Sequence, residues 1–391
     1  MDLSQKDIRF LNFGYFLENS SPVELKFTQN KDFLELNYVE ALEMAGELWV
    51  SSFAAAYTST ESMEQVVPIS GGIDSRALLM ELLKYRAAKD IYTFTFGVPG
   101  SLDFDIGNAI ARHYGTNHCQ LPCDQNILSY SNASEFGRLV DYSCNLFLTP
   151  EVAHLRRYRD MNIWSGTVID VFFGRHYHER TASSINAAAE NFILENAQSR
   201  YFKQLIDKKA LVEILDAPKL PGCSLEHTID LANRQAKFVA KHLLYDGYNF
   251  STMLNEDLMV FALSINQNFH SKQKLYTEMM QTLYPDFNIF PCKTSIGLKL
   301  TAPNYQVFAK RLNIKLLKML SKSFTDPYVN YLDWEKEISE TIVQRISRSI
   351  GYDELSDLTV KLLELNRNDG GYAMDILNIL SLRIIKKHEK G

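Results

Sequence analysis

An apolar run, Val66-Val67-Pro68-Ile69, passes without a spacer into Ser70-Gly71-Gly72-Ile73-Asp74-Ser75, and beyond it Ala77, Leu78, Leu79, Leu82 and Leu83 fall at helical spacing. That order reads as strand, tight turn, helix. Two adjacent glycines let the backbone curl and approach a ligand without Cβ interference, so successive N–H groups can converge on phosphate oxygens. Ser70 and Ser75 add hydroxyls, and the helix brings the partial positive charge of its N-terminus. Asp74 then faces the phosphates, where a carboxylate makes electrostatic sense as a ligand of Mg2+. No lysine follows the glycines, so this is not the G-x-x-x-x-G-K-[ST] loop, and the spacing is not G-x-G-x-x-G.

The pattern then repeats. Tyr92-Thr93-Phe94-Thr95-Phe96 reads as a second strand, broken by Gly97-Val98-Pro99-Gly100-Ser101-Leu102-Asp103. Ile106, Ala109, Ile110 and Tyr114 mark a helix, and Gly115-Thr116-Asn117-His118 leads into a third strand through Leu121. Such alternation predicts a parallel sheet covered by helices, with the ligand at the carboxyl ends of the strands. A further strand ending near Trp164 delivers Ser165 and Gly166, followed by Asp170 and Gly174.

The Ser70–Ser75 segment resembles the S-G-G-x-D-S loop of the N-type ATP pyrophosphatases. Phe94 to Asp103, as F-x-x-G-x-P-G-S-x-D, followed by a helix and G-T-x-H, resembles the synthetase domain of asparagine synthetase, and Ser165 to Gly174 resembles that family's S-G-E-G-x-D-E-x-x-G. The resemblance implies an α/β fold of the adenine nucleotide α-hydrolase type, a parallel sheet with helices on both faces followed by a mostly helical C-terminal part. It implies cleavage of ATP to AMP and pyrophosphate to activate a carboxylate, which ammonia or an amine then captures as an amide or lactam. Ser70, Gly71, Gly72, Asp74, Ser75, Phe96, Gly97, Ser165 and Gly166 are then expected to hold the nucleotide, and Asp74 and Asp170 to share Mg2+. The cation expected on the departing pyrophosphate is assigned to Lys293, in a segment Tyr284 to Pro291 and beyond that resembles the family's, with Lys299 as second choice.

The chain departs from the family pattern in the same block. Thr167 and Val171 stand where the family has glutamates, and Val168 where it has its second glycine. Neither Thr167 nor Val171 takes a proton near neutral pH, so the nucleotide half of the site is expected intact and the acceptor half rebuilt or lost. Tyr142, Glu151, His154 and His176 are candidate replacement bases by proximity in sequence alone. His176 and His178 are read as an exposed loop rather than a metal site.

The 391 residues, 46% hydrophobic and 23% charged, can bury a large core and hold two subdomains. A net charge of −6 offers no basic field for a polyanion, which argues against a nucleic-acid partner and against base thiolation. The five cysteines form no C-x-x-C pair. No apolar run reaches membrane-spanning length and Met1-Asp2-Leu3-Ser4 lacks a signal-peptide character, so a cytoplasmic chain without membrane partners is expected. Residues 1–34 are expected as a short N-terminal segment, with Arg9 to Leu17 as a β segment and a remnant of a glutaminase domain; 35–180 as the ATP-binding core; and 181–391 as one helical layer ending in an amphipathic helix from Tyr372 to Ile384. None of the cysteines sits at position 2, so ammonia is expected from a separate glutaminase, from solution, or replaced by a substrate amine. A small-molecule or peptide carboxylate is the expected substrate. A non-catalytic ATP-binding protein that docks a partner is the second reading kept from the residues.

Overall fold

The computed structural model describes residues 3–175, 181–320, 327–329 and 337–390. Strands β1 (Gln65–Pro68), β2 (Ile91–Gly97), β3 (Asn117–Pro122), β4 (Asn162–Ser165) and β5 (Asn249–Thr252) form one sheet in the order β3-β2-β1-β4-β5. Every adjacent pair is parallel, with Val66 opposite Tyr92 on one side and Ile163 on the other. Parallel neighbours need a crossover. The helices Asp74–Leu82 and Leu102–Tyr114 supply it from β1 to β2 and from β2 to β3. The chain then returns to the far side of β1 to form β4, so the winding reverses between β1 and β4, and in sheets of this kind a ligand is expected above the carboxyl ends at such a reversal.

Alternation along β1 sorts its side chains onto two faces. Val66 packs with Phe94, Ile163, Leu155 and Tyr158, while Val67 and Ile69 pack with Ala77, Leu78, Ile106 and Ile110 from the two crossover helices. The long helix Tyr38–Thr58 adds Trp49 and Phe53 to the second group, and Phe53 stacks on Trp164 at 4.2 Å between ring centroids. The Trp164 indole N–H donates to Gln65 Oε1 at 2.7 Å, which locks β4 onto β1 just before the site.

A second core lies away from the sheet and corrects two expectations. The Arg9 to Leu17 run is not a β segment: Gln5–Phe13 is a helix. Its Ser4 cap is reciprocal, with the Asp7 N–H donating to Ser4 Oγ at 3.1 Å and the Ser4 N–H to Asp7 Oδ2 at 3.3 Å. The aromatic content that suggested a strand instead buries Phe10, Leu11 and Phe13 in a cluster with Ile376, Leu377 and Leu380 of the final helix Ala373–Lys390. Only Tyr15, past the turn at Gly14 (φ +77°), makes a β-bridge, to Cys144.

The C-terminal region is helical, yet it is not one layer. Glu256–Ser264 packs Leu258 and Phe261 into the sheet core; Leu211 and Phe238 enter the second core; Asn304–Leu320 buries no residue; and β5 joins the sheet edge. Apolar spacing marks each helix's inner face and is silent about what that face meets. Among the described residues, no helix is long and apolar enough to cross a membrane.

Candidate active site

The loop after β1 is a set of polar groups that satisfy one another. The Ser70 N–H donates to Ser75 Oγ at 3.1 Å, the two hydroxyls lie 3.2 Å apart, and the Gly72 N–H donates to Ser70 Oγ at 3.2 Å. The Gly71 N–H donates to Asp103 Oδ1 at 3.2 Å, so a carboxylate already rests on a backbone donor where an anion is expected. A Cβ on Gly71 would stand 2.8 Å from the Leu102 carbonyl oxygen, which is why the loop and the next crossover helix can approach only with glycine there. Phe96 and Gly97 end β2 beside this loop, and β1 continues to it through the Ile69 N–H, which donates to the Phe94 carbonyl at 2.9 Å.

Asp74 opens the crossover helix and faces the β4 loop. A Cβ on Gly166 would lie 2.6 Å from the Asp74 Cβ, so the two loops touch at a point where no side chain fits. The buried Tyr276 hydroxyl donates to Asp74 Oδ1; Tyr276 stacks on Phe173 at 5.2 Å, and burial beside Asp74 holds its phenol protonated, as the donor. Desolvation, followed by the Asp170 carboxylate, pushes the Asp74 carboxyl up to about 7. Asp170, 8% exposed, is paired with Arg175 at 2.7 Å. Two carboxylates that repel each other at a helix N-terminus suit a divalent cation. Among the described residues no group of three or more His, Cys, Asp or Glu is placed to hold a metal ion.

Lys293 comes to the same loop from the far half of the chain. Its N–H donates to the Gly71 carbonyl at 2.9 Å and its ammonium pairs with Asp103, the carboxylate that also accepts from Gly71. Lys299 lies exposed in the turn beyond it. The segment leading to Lys293 is clamped by Arg76, which is fully buried. Its Nη1 donates to the Phe287 carbonyl at 2.9 Å and its Nη2 to the Pro291 carbonyl at 2.6 Å, with the guanidinium over the Phe287 ring at 5.1 Å. Loop and lysine segment are thus tied through the residue next to Ser75.

The β4 loop is closed where the β1 loop is open. Ser165 and Thr167 share a hydrogen bond between their hydroxyls, and Thr167, Val168 and Val171 are 1%, 2% and 2% exposed. Val168 holds φ +66°, a left-handed conformation costly for a β-branched residue, at the position where the resemblance expects glycine. The turn therefore keeps a glycine's shape without glycine. Of the candidate bases, Tyr142 is buried against Gly137 and His388 in the second core, Glu151 and His154 pair with each other at 3.1 Å, and His176 lies outside the described residues, as does His178.

Asp103, Tyr276, Arg76 and Arg175 carry much of the site, and motif reading passed over all four as functional groups. Asp103 is the last residue of the F-x-x-G-x-P-G-S-x-D segment. Arg76 directly follows the loop, a buried cation at the start of an apolar helix face, and that was the available signal. Burial raises the thiols of Cys123 and Cys144 to about 12 and Cys223 to about 11, so none of these three is a ready thiolate.

Residues 61–131 match the family model of asparagine synthase. This stretch spans β1, the Ser70–Ser75 loop, β2 and β3, and over these residues the chain is similar to that family. No curated protein matches the chain.

Proposed function

Starting from an asparagine synthetase-like β1 loop, we propose that the protein is an AMP-forming carboxylate–amine ligase. The observation that carries this reading is the meeting of Asp74, Asp170, Lys293 and the Ser70–Ser75 loop at the β1/β4 crevice, drawn from three separate stretches of chain. The loop's N–H and hydroxyl groups exchange their internal partners for phosphate oxygens. Asp74 and Asp170 would hold Mg2+, which would offset phosphate charge. A substrate carboxylate oxygen attacks the α-phosphorus and the α–β phosphoanhydride bond breaks. Lys293, released from Asp103, takes the charge that builds on the departing pyrophosphate, an electrostatic contribution of the kind often largest in catalysis. A nitrogen nucleophile, ammonia or an amine of the substrate, then attacks the acyl carbon of the adenylate, the acyl carbon–oxygen bond to AMP breaks, and the nitrogen's proton passes to water.

The sealed Thr167 and Val171 favour a second reading, a nucleotide-binding protein without ligase turnover, because those positions present no proton acceptor. ATP–pyrophosphate exchange with labelled pyrophosphate and Mg2+, against pooled amino acids, sugar acids and short peptides, separates the two. Exchange that depends on one pool, and vanishes in D74N, supports adenylation. ATP binding with no exchange in any pool supports the second reading.

A further inference from the structure

The β4 loop ends in a cation with no part in the reaction above. Gly174 turns at φ +97°, and a Cβ there would lie 2.3 Å from the His270 carbonyl oxygen, so the turn admits glycine alone. The turn folds Arg175 back onto its own loop. Its N–H donates to the Asp170 carbonyl at 3.0 Å and its Nη1 to Asp170 Oδ2 at 2.7 Å. The carboxyl groups of Asp74 and Asp103 also act on the guanidinium electrostatically, after that of Asp170. Its side chain is nevertheless 60% exposed, whereas that of Asp170 is 12% exposed. The cation of this pair can swing into water while its carboxylate stays sheltered, and that carboxylate is one that a divalent cation needs.

We infer that Arg175 is the resident counter-cation of the Asp74–Asp170 pair and changes partners when substrate arrives. The divalent cation and the guanidinium compete for Asp170 Oδ2; once displaced, the planar fork turns to phosphate oxygens of the same nucleotide, which it matches in two parallel hydrogen bonds. This rests on the nucleotide reading of the site. The consequence is an order of loading: metal binds poorly alone and well together with nucleotide, so each favours the other.

The test is Mn2+ binding to the whole chain, followed by the resonance of free Mn2+, with and without the α,β-methylene analogue of ATP. Removing one competing unit charge makes R175M bind Mn2+ without nucleotide about tenfold more tightly than the wild type, and shrinks the gain that nucleotide brings. R175Q should behave like R175M, and R175K, which keeps the charge without the fork, like the wild type in the absence of nucleotide. Equal Mn2+ affinity in wild type, R175M and R175Q overturns the proposal, and so does failure of all three to bind. Pyrophosphate exchange by the wild type judges the ligase reading separately: exchange with unaltered Mn2+ affinity in R175M removes the role of Arg175 alone, and tighter Mn2+ binding without exchange removes the ligase alone.

Discussion

The loops after β1 and β4 leave the same sheet side by side and are built on opposite rules. In the β1 loop, backbone N–H groups and hydroxyls rest on partners that a ligand can replace: Gly71 on Asp103, Gly72 on Ser70, Ser70 on Ser75. In the β4 loop the polar groups are spent on each other inside the core, the Ser165 and Thr167 hydroxyls paired and Val168 and Val171 sealed. Only its two ends, Gly166 against Asp74 and the Asp170–Arg175 pair, reach the crevice. A loop's capacity for chemistry is set by which of its hydrogen bonds can be exchanged at small cost, since an exchanged bond leaves no group unsatisfied and a core bond does.

The largest effect expected is on the reaching end of the β4 loop. D170N should lower pyrophosphate exchange by at least about a hundredfold, the scale of a lost electrostatic group in a reacting site, while leaving the melting temperature nearly unchanged. Full exchange in D170N breaks the comparison, because the β4 loop would then contribute nothing chemical.

Next comes the clamp that holds the β1 loop to its lysine. R76M removes the donors to the Phe287 and Pro291 carbonyls and should cost about 2–6 kcal/mol in urea unfolding, at about 1–3 kcal/mol for each of the two orphaned buried groups. An unchanged midpoint would show that the Lys293 segment is held by other contacts.

The buried carboxylate sets a pH dependence. Asp74 is raised from 3.8 to about 7, so between those values the folded protein holds a proton that the unfolded chain has released. Stability from this group is fully present below pH 3.8 and is lost as pH rises through about 7. In the absence of metal and nucleotide, the melting temperature should fall across the upper part of that window, and D74N should flatten this arm. A wild-type profile no steeper than that of D74N removes the electrostatic account of the pair.

The smallest effect sharpens the comparison most. V168G and V168A both lose a buried side chain, but only glycine relieves the left-handed backbone, worth roughly 1–2 kcal/mol for an ordinary residue. V168G should therefore be more stable than V168A by about 1 kcal/mol, the reverse of their usual order. The usual order, measured by urea unfolding, would mean that the β4 turn is unstrained.

Much of this site was legible in the chain because it is written in short windows. Val66 to Ser75 specifies strand, turn and helix within ten residues, the alternation that follows specifies a parallel sheet, and Asp74, Asp170 and the glycines Gly71 and Gly166 stand at the strand ends where such a sheet puts its ligand. The Arg9 to Leu17 run failed the same treatment. Its aromatic residues satisfy a strand or a buried helix equally, and contacts such as Asn378 Nδ2 to the Leu11 carbonyl, across 367 residues, decide for the helix.

The same holds for what completes the site. Tyr276 reaches Asp74 across 202 residues, Arg76 reaches Pro291 across 215, and Lys293 reaches Asp103 across 190. Local sequence sets backbone propensity, the faces of helices and strands, and the places where only glycine fits. Which side chains meet, whether a hydroxyl is exchangeable or sealed, and whether a carboxylate is desolvated beside another follow from how the sheet and the two cores pack, and no short window of sequence contains that.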